Sequence, residues 1–476
     1  MSADPDLRTD EIAAFFPIQP ESSDVVNVKC VCWLTSKGFT MPGNSELNIA
    51  LVGCGTVGSG VVRIVQTSSD LLTQRTGRSI RLRRIVVRDP AKKRDVDLSG
   101  IPVSDDIQTV IADPDIQVVI HVVGGINPAR ADITSLLEAG KDVITANKAL
   151  LYAHGAELFG LAHKLGRTIC FEAAVAGGIP IISAVTTALT ANRIVSIEAI
   201  LNGTSNFILS RMLDRRQTYE DVLTEAQARG YAEADPAMDV DGTDAAQKLS
   251  ILTQLAYGTA VPLDAIVRQG IQHIELLDLL VAAELGYRVK LLATSRLAKG
   301  RLEIAVQPTL VKADRPAALT NGADNIVSIE GDAVGLMRFS GAGAGQMPTA
   351  SAVMADVIDY ATGRAAITFQ SMQRLQSRES IPLQPQEELS RRYYLRFTVA
   401  DRPHVLADIA DILGRNEISI SSVRQDETAD VDDLSGVARL VIMTHRTTEG
   451  RLRSADAAIA KLQSLRGNRI RMPIAD

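Results

Sequence analysis

From Leu47 onward, apolar positions alternate between two spacings. Short strand-like runs, at 47–52, 82–88, 117–123, 141–145 and 167–172, are separated by stretches with helical periodicity. The run from Val118 to Val123 shows no polar–apolar alternation, as expected of a parallel strand covered by helices on both faces. This order predicts a βαβ series and a doubly wound sheet.

Between 173 and 363 the pattern is mixed. It predicts helices over 180–191, 219–229, 243–257 and 273–286, and strands near 194–201, 302–310 and 325–330. After the glycine cluster Gly341–Gly345 it predicts a helix from Pro348 to Ala361, proline being well tolerated in a first helical turn. Residues 371–391 carry two prolines and no strong period, which predicts a linker. Beyond it, 393–399, 403–413, 417–424, 437–443, 451–464 and 468–473 follow a β-α-β-β-α-β order, that of an independently folding ferredoxin-like module. Residues 1–46 show neither period and hold the single tryptophan, Trp33, and the pair Cys30 and Cys32. They read as a disordered extension, or as sequence upstream of a start at Met41. A metal at the cysteine pair would need further ligands, and none lie nearby.

Composition narrows the class without changing this organisation. At 476 residues the chain exceeds the ~250–300 residues of a single core. Its 46% hydrophobic and 22% charged residues are those of a folded protein. Fifty basic against 56 acidic side chains leave a net charge of −6, which argues against nucleic acid or an anionic membrane as partner. The four cysteines, Cys30, Cys32, Cys54 and Cys170, are too few and scattered for a disulfide framework. No apolar run approaches the ~20 residues of a membrane span, and Met1–Asp10 lacks the features of a secretory signal. The expectation is a cytoplasmic, multidomain protein.

Candidate chemistry begins at Gly53-Cys54-Gly55-Thr56-Val57-Gly58, directly after the first strand and at the start of a helix. A lone G-x-G-x-x-G is weak; between strand and helix it is a dinucleotide fingerprint, with the backbone close to a pyrophosphate and the helix N-terminus facing it. The second strand ends Arg88-Asp89, with Lys92 and Lys93 just beyond. Arginine there suits a 2′-phosphate and a carboxylate a free ribose diol, so Arg88 tilts the coenzyme toward NADP without excluding NAD.

A second group lies further on. Asn202-Gly203-Thr204-Ser205-Asn206-Phe207 ends a strand, and Gly230–Pro236 forms a loop. Asp239–Asp244 then runs into a helix containing Lys248. Asp244 and Lys248, at i and i+4, share a helix face. The alternatives are a surface ion pair, or a site in which carboxylates hold a substrate ammonium and a desolvated lysine moves a proton. The oxygen spacing does not match a calcium loop.

These motifs, with Thr145-Ala146-Asn147-Lys148-Ala149, Glu172-Ala173-Ala174-Val175-Ala176-Gly177-Gly178-Ile179-Pro180 and the 341–350 segment, make the chain from Leu47 to about Ala361 resemble the homoserine dehydrogenases. The C-terminal module, opening Asp401-Arg402-Pro403-His404-Val405-Leu406, resembles an ACT domain. The resemblance implies an α/β protein in five parts. These are a 1–46 extension, a 47–175 Rossmann-type NAD(P)-binding domain, a 176–365 α+β catalytic and dimerisation domain, a 366–391 linker and a 392–476 ACT domain. Residues 341–365 would return to the nucleotide domain.

It also implies reversible NAD(P)-dependent interconversion of L-homoserine and L-aspartate 4-semialdehyde in threonine and methionine synthesis. Lys248 would be the proton donor with Lys148 beside it, and Glu233 and Asp244 would bind the amino-acid end of the substrate. Gly53, Gly55, Thr56, Val57, Gly58, Arg88, Gly124, Lys148, Gly230 and Gly345 would contact the coenzyme. Glu172 and the carbonyls of Val175, Gly177 and Ile179 would hold sodium or potassium. A homodimer or tetramer and threonine as effector are implied too, with Asn416 and the backbone near His404 and Val405 as effector contacts.

Three residues depart from the family pattern. His121 stands where many relatives have a carboxylate and reads as a hydrogen-bonded core histidine. Cys54 reads as a small buried thiol. His404 replaces the glycine usual in ACT domains. Phosphoglycerate dehydrogenase shares a Rossmann domain and ACT tail, but its arginine, carboxylate and histidine set has no match here. A non-catalytic amino-acid sensor is the alternative of another class.

Overall fold

The computed structural model describes residues 46–232, 235–376, 379–427 and 436–475. The expectations for residues 1–45 and for Glu233 therefore lie outside the described residues. No described helix is long and apolar enough to cross a membrane.

The first sheet has six parallel strands: β1 (Leu47–Val52), β2 (Ile80–Val86), β3 (Val103–Ser104), β4 (Val118–His121), β5 (Asp142–Thr145) and β6 (Ile169–Cys170). Their order is β3-β2-β1-β4-β5-β6, so the winding reverses between β1 and β4, and a crevice opens at their carboxyl ends. The nearly complete burial of β1, β4 and β5 explains why apolar residues stand at consecutive positions in them.

The helix Gln346–Ala361 also belongs to this body. Its Ala350, Val353, Met354 and Val357 pack in one core with Leu47, Ile49, Val61 and Val62. The two helices meet at Gly60, where a Cβ would lie 2.8 Å from that of Ala350.

The second sheet runs Gly335–Ala342, Asp324–Gly331, Ile194–Ile200, Tyr287–Ala298, Arg301–Lys312, Ile470–Ile474, Ser390–Ala400, Val437–Thr444 and Ile420–Glu427. Three elements differ from the sequence pattern. Tyr287–Ala298 is a long strand paired in full register with Arg301–Lys312; buried on both faces over residues 289–293, it loses its alternation at Leu291-Leu292-Ala293. Gly203–Arg215 is a helix where the pattern gave the end of a strand, and it is capped by Asn202, whose Oδ1 accepts from the Ser205 amide at 2.7 Å. The helix expected over 180–191 is only Ile181–Ser183, followed by a π-turn over Ala184–Ala188.

The linker expected over 366–391 is corrected. A helix spans Arg364–Gln376 and buries Phe369 and Met372. Beyond it, the Leu302 amide donates to Pro382 and the Gln384 amide to Leu302, each at 2.9 Å. Nor is the C-terminal module separate. Its edge strand continues the catalytic sheet at Leu310–Ile474, and all described residues fall in one compact unit, Asn44–Asp476. Polar composition suggested a tether, but Gln384 donates to Glu388 and Gln386 to the Asp264 and Ala265 carbonyls.

Candidate active site

Glycines shape the loop after β1. Gly53 has φ +96°, and a Cβ there would lie 2.9 Å from Val123 and 3.0 Å from the Val122 backbone. A Cβ on Gly58 would lie 2.1 Å from the Gly53 carbonyl oxygen. At Gly55 nothing lies within 4 Å. The outer glycines thus close the turn, and the middle one leaves room where a diphosphate can approach the backbone. Thr56 and Val57 begin the helix Thr56–Thr67, which has no side-chain cap, so its first amides remain for an anion. Cys54 is buried, with Sγ 3.8 Å from Ser59 Oγ.

Arg88 is exposed just past β2. Arg94, which no pattern singled out, donates to the Cys54 carbonyl at 3.3 Å and the Asp89 carbonyl at 2.8 Å. It ties the segment after β2 to the glycine loop.

Gly124 lies just past β4. Asn147 bonds both sides of it, donating to the carbonyls of Val123 at 3.0 Å and Gly125 at 2.6 Å. Its Oδ1 accepts from the Leu150 amide and caps the helix Lys148–Leu165. The helix that begins with Lys148 is thereby fixed to the loop that packs on Gly53.

Lys148 meets the second group at Asp244. Its Nζ lies 3.0 Å from Asp244 Oδ1, while Lys248 Nζ lies 2.8 Å from Oδ2. Lys248 also donates to the Leu201 carbonyl at 2.8 Å. Asn202 Nδ2 donates to Asp244 at 2.9 Å and to Asp239 at 2.8 Å. Burial alone would push the Asp244 carboxyl up, but Lys248, Lys148 and Asn202 outweigh it and hold the group well below the usual carboxylate range. Burial pushes the Asp239 carboxyl up. The pair is not a surface ion pair: the Asp244 and Lys248 side chains are 7% and 12% exposed. Asn202 went unassigned in the sequence, although its place between strand and helix is an N-cap signal.

Glu172 stands apart from the lysines. Its carboxylate oxygens accept the amides of Ile182 and Ser183, each at 2.8 Å, and its own amide donates to Asp356 at 2.9 Å. Burial raises both carboxyls. Val175, Gly177 and Ile179 follow on a turn against the 342–345 loop, where the Gly178 amide donates to Ala342 at 3.0 Å. Among the described residues, no group of three His, Cys, Asp or Glu side chains could hold a metal ion.

Gly345 heads the helix Gln346–Ala361 at φ +125°, and Gly230 follows Tyr219–Ala228 at φ +73°. Beside Gly230, the Tyr231 carbonyl accepts from Thr204 Oγ1 at 2.6 Å. His121 is fully buried, with Nε2 3.2 Å from Asp132, while Nδ1 has no partner among the described residues.

Comparison with known proteins agrees along the chain. Family models described as homoserine dehydrogenase, its NAD binding domain and the ACT domain match residues 180–358, 53–172 and 393–463. The homoserine dehydrogenase of Pseudomonas aeruginosa is 40% identical over 432 residues, 90% of this chain and 98% of that protein. That of Neisseria gonorrhoeae is 41% identical over 420 residues, 87% and 95% of the two chains. The crystal structure of a homoserine dehydrogenase from Thiobacillus denitrificans superposes with a TM-score of 0.84 at 40% identity, covering 91% of this chain and 99% of that one.

Proposed function

The chain belongs to the homoserine dehydrogenase family, an NAD(P)-dependent oxidoreductase family, and on that premise we propose that Asp244, Lys148 and Lys248 are its substrate-handling centre. The reaction is the reversible interconversion of L-homoserine and L-aspartate 4-semialdehyde. Bound NAD(P) supplies the hydride in one direction and takes it up in the other. The observation that carries this reading is one buried carboxylate shared by two ammonium groups at 3.0 and 2.8 Å.

As the aldehyde carbon is reduced, its oxygen gains negative charge. Lys248, held by Leu201 and Asp244, protonates that oxygen, and Lys148 adds a second positive charge beside the coenzyme. Asp244 orients both amines and, with Glu233, receives the ammonium of the substrate. Gly53, Gly55, Thr56, Val57, Gly58 and Gly124 line the diphosphate side, and Gly230 and Gly345 the nicotinamide side. The deciding experiment is NADPH oxidation with aspartate 4-semialdehyde. Turnover supports the reading; amino-acid binding without turnover makes the chain a sensor.

Arg88 favours NADP, since its exposed guanidinium follows β2 where a ribose 2′-phosphate would lie. A hyperthermophilic archaeal homoserine dehydrogenase mutant, 26% identical over 66% of this chain with a TM-score of 0.55, has been solved in complex with NADPH. The oxygens of Glu172, Val175, Gly177 and Ile179 would hold sodium or potassium. The donor chemistry fits, and the test is activity in potassium or sodium chloride against choline chloride at equal ionic strength. We further propose a cytoplasmic homodimer or tetramer in threonine and methionine synthesis, with threonine as the ACT effector. In the described structure Asn416 Nδ2 is bonded to the Ile412 carbonyl at 2.8 Å, so an effector would have to displace or share that contact.

A further inference from the structure

An open cleft with a volume of about 360 Å³ lies between the catalytic sheet and the C-terminal module. Arg268 and Gln307 line it from the catalytic side; Gln386, Arg453 and Arg471 line it from the C-terminal side. Three arginines thus line it; among the described lining residues Asp264 is the one carboxylate, and the carboxylate of Glu449 pairs with Arg453 and Arg471. The arginines are fixed by neighbours. Arg453 donates to Gln386 Oε1 at 3.0 Å, and Arg453 and Arg471 share Glu449 Oε1 at 3.2 and 2.9 Å. Each guanidinium has five N–H donors, so these bonds orient the groups without exhausting them. Preset guanidiniums suit carboxylate or phosphate oxygens, and the volume suits a small molecule rather than a bare ion.

Arg268 joins this cleft to the lysine centre. Its Nη1 donates to Thr243 Oγ1 at 2.7 Å. Thr243 is the first residue of the helix Thr243–Tyr257, and Asp244 is the second. An anion that draws the Arg268 guanidinium into the cleft therefore pulls on the helix end carrying the shared carboxylate.

We propose that this cleft binds a small polyanion, carboxylate or phosphate, and that its occupancy is transmitted through Arg268 and Thr243 to Asp244. The binding step stands by itself; the transmission step rests on the role proposed for Asp244. A site contributed by both parts of the chain gives the C-terminal module a route to the catalytic region that does not require an effector on its own helix.

The test uses the full chain and two probes, inorganic phosphate and malonate, at constant ionic strength. Calorimetry should show saturable binding of at least one, with a Kd of about 1 mM or tighter; which one binds identifies the anion class. Arg268→Gln, and Gln269→Glu at the neighbouring lining residue Gln269, should each weaken binding about tenfold or more. In the native chain the bound probe should change the KM for the amino-acid substrate. Thr243→Val should retain binding and lose that change. No saturable binding, or equal binding in both cleft variants, overturns the site. Intact binding with no effect on KM in the native chain overturns the transmission. An enzyme inactive without any anion contradicts the catalytic reading instead and leaves the calorimetric result standing.

Discussion

Arg396 and Asp278 form a buried ion pair between the C-terminal module and the catalytic region, with Nε–Oδ1 at 2.7 Å and side chains 1% and 0% exposed. Tyr394 donates to the same carboxylate at 3.0 Å, and Arg396 Nη2 donates to Glu275 at 2.8 Å and to Asp278 Oδ2 at 3.1 Å. Burial pushes the Asp278 carboxyl up, and Arg396 opposes it. Removing one partner strands the other charge in a dry interior. Arg396→Ala should lose about 3–5 kcal/mol in urea unfolding, and the double change Arg396→Met with Asp278→Leu should lose much less. Unchanged stability of the single variant would mean that the junction opens to water.

Lys248→Ala should lower kcat by about 10²–10⁴-fold with little change in KM, because the proton is needed only as charge develops on the oxygen. Steady-state kinetics in both directions check this. A wild-type kcat would remove Lys248 from the mechanism.

Arg88→Ala should raise the KM for NADP about tenfold, equivalent to ~1.4 kcal/mol, and leave that for NAD nearly unchanged. An equal effect on both coenzymes would place Arg88 away from the 2′-phosphate.

Lys290 is buried among Asn206, Ser210, Thr320 and Asn321, and burial lowers its pKa to about 8. Its folded pKa lies below its unfolded value near 10.5, so the unfolded chain binds more protons between those two values. Stability should therefore rise with pH in that window, by up to about 1.4 kcal/mol per unit. Unfolding of the native chain and of Lys290→Met, compared from pH 8 to 10, isolates this contribution; parallel profiles would exclude it.

His404 caps the helix Val405–Arg415 in the left-handed conformation, at φ +74°. That conformation strains a residue bearing a Cβ by roughly 1–2 kcal/mol, while glycine loses ~0.5–1 kcal/mol in chain entropy. His404→Gly should therefore stabilise the chain by about 0.5–1 kcal/mol, and threonine inhibition should appear or strengthen. A less stable variant would show that the imidazole makes a compensating contact.

What the chain determines by itself is local. An apolar run ending in Gly53-Cys54-Gly55 shows the nucleotide fold, because strand, turn and helix are set by neighbours a few residues apart. Asp244 and Lys248 pair for the same reason, lying one turn apart on one helix. Only tertiary structure brings Lys148 to the other oxygen of that carboxylate, ties Asn147 to the Val123 and Gly125 carbonyls, and places Arg268 against Thr243. It also turns the polar stretch after Arg364 into packed structure and joins the C-terminal strands to the catalytic sheet. The strand Tyr287–Ala298 shows why: with both faces covered, its alternation lapses at Leu291-Leu292-Ala293 and even Lys290 is buried, so its neighbours in the sheet are chosen by burial. Charged groups such as Arg396 and Asp278 look like surface residues in the sequence. They can be buried only because the fold supplies each with the other, and no local pattern records a partner so distant in the chain.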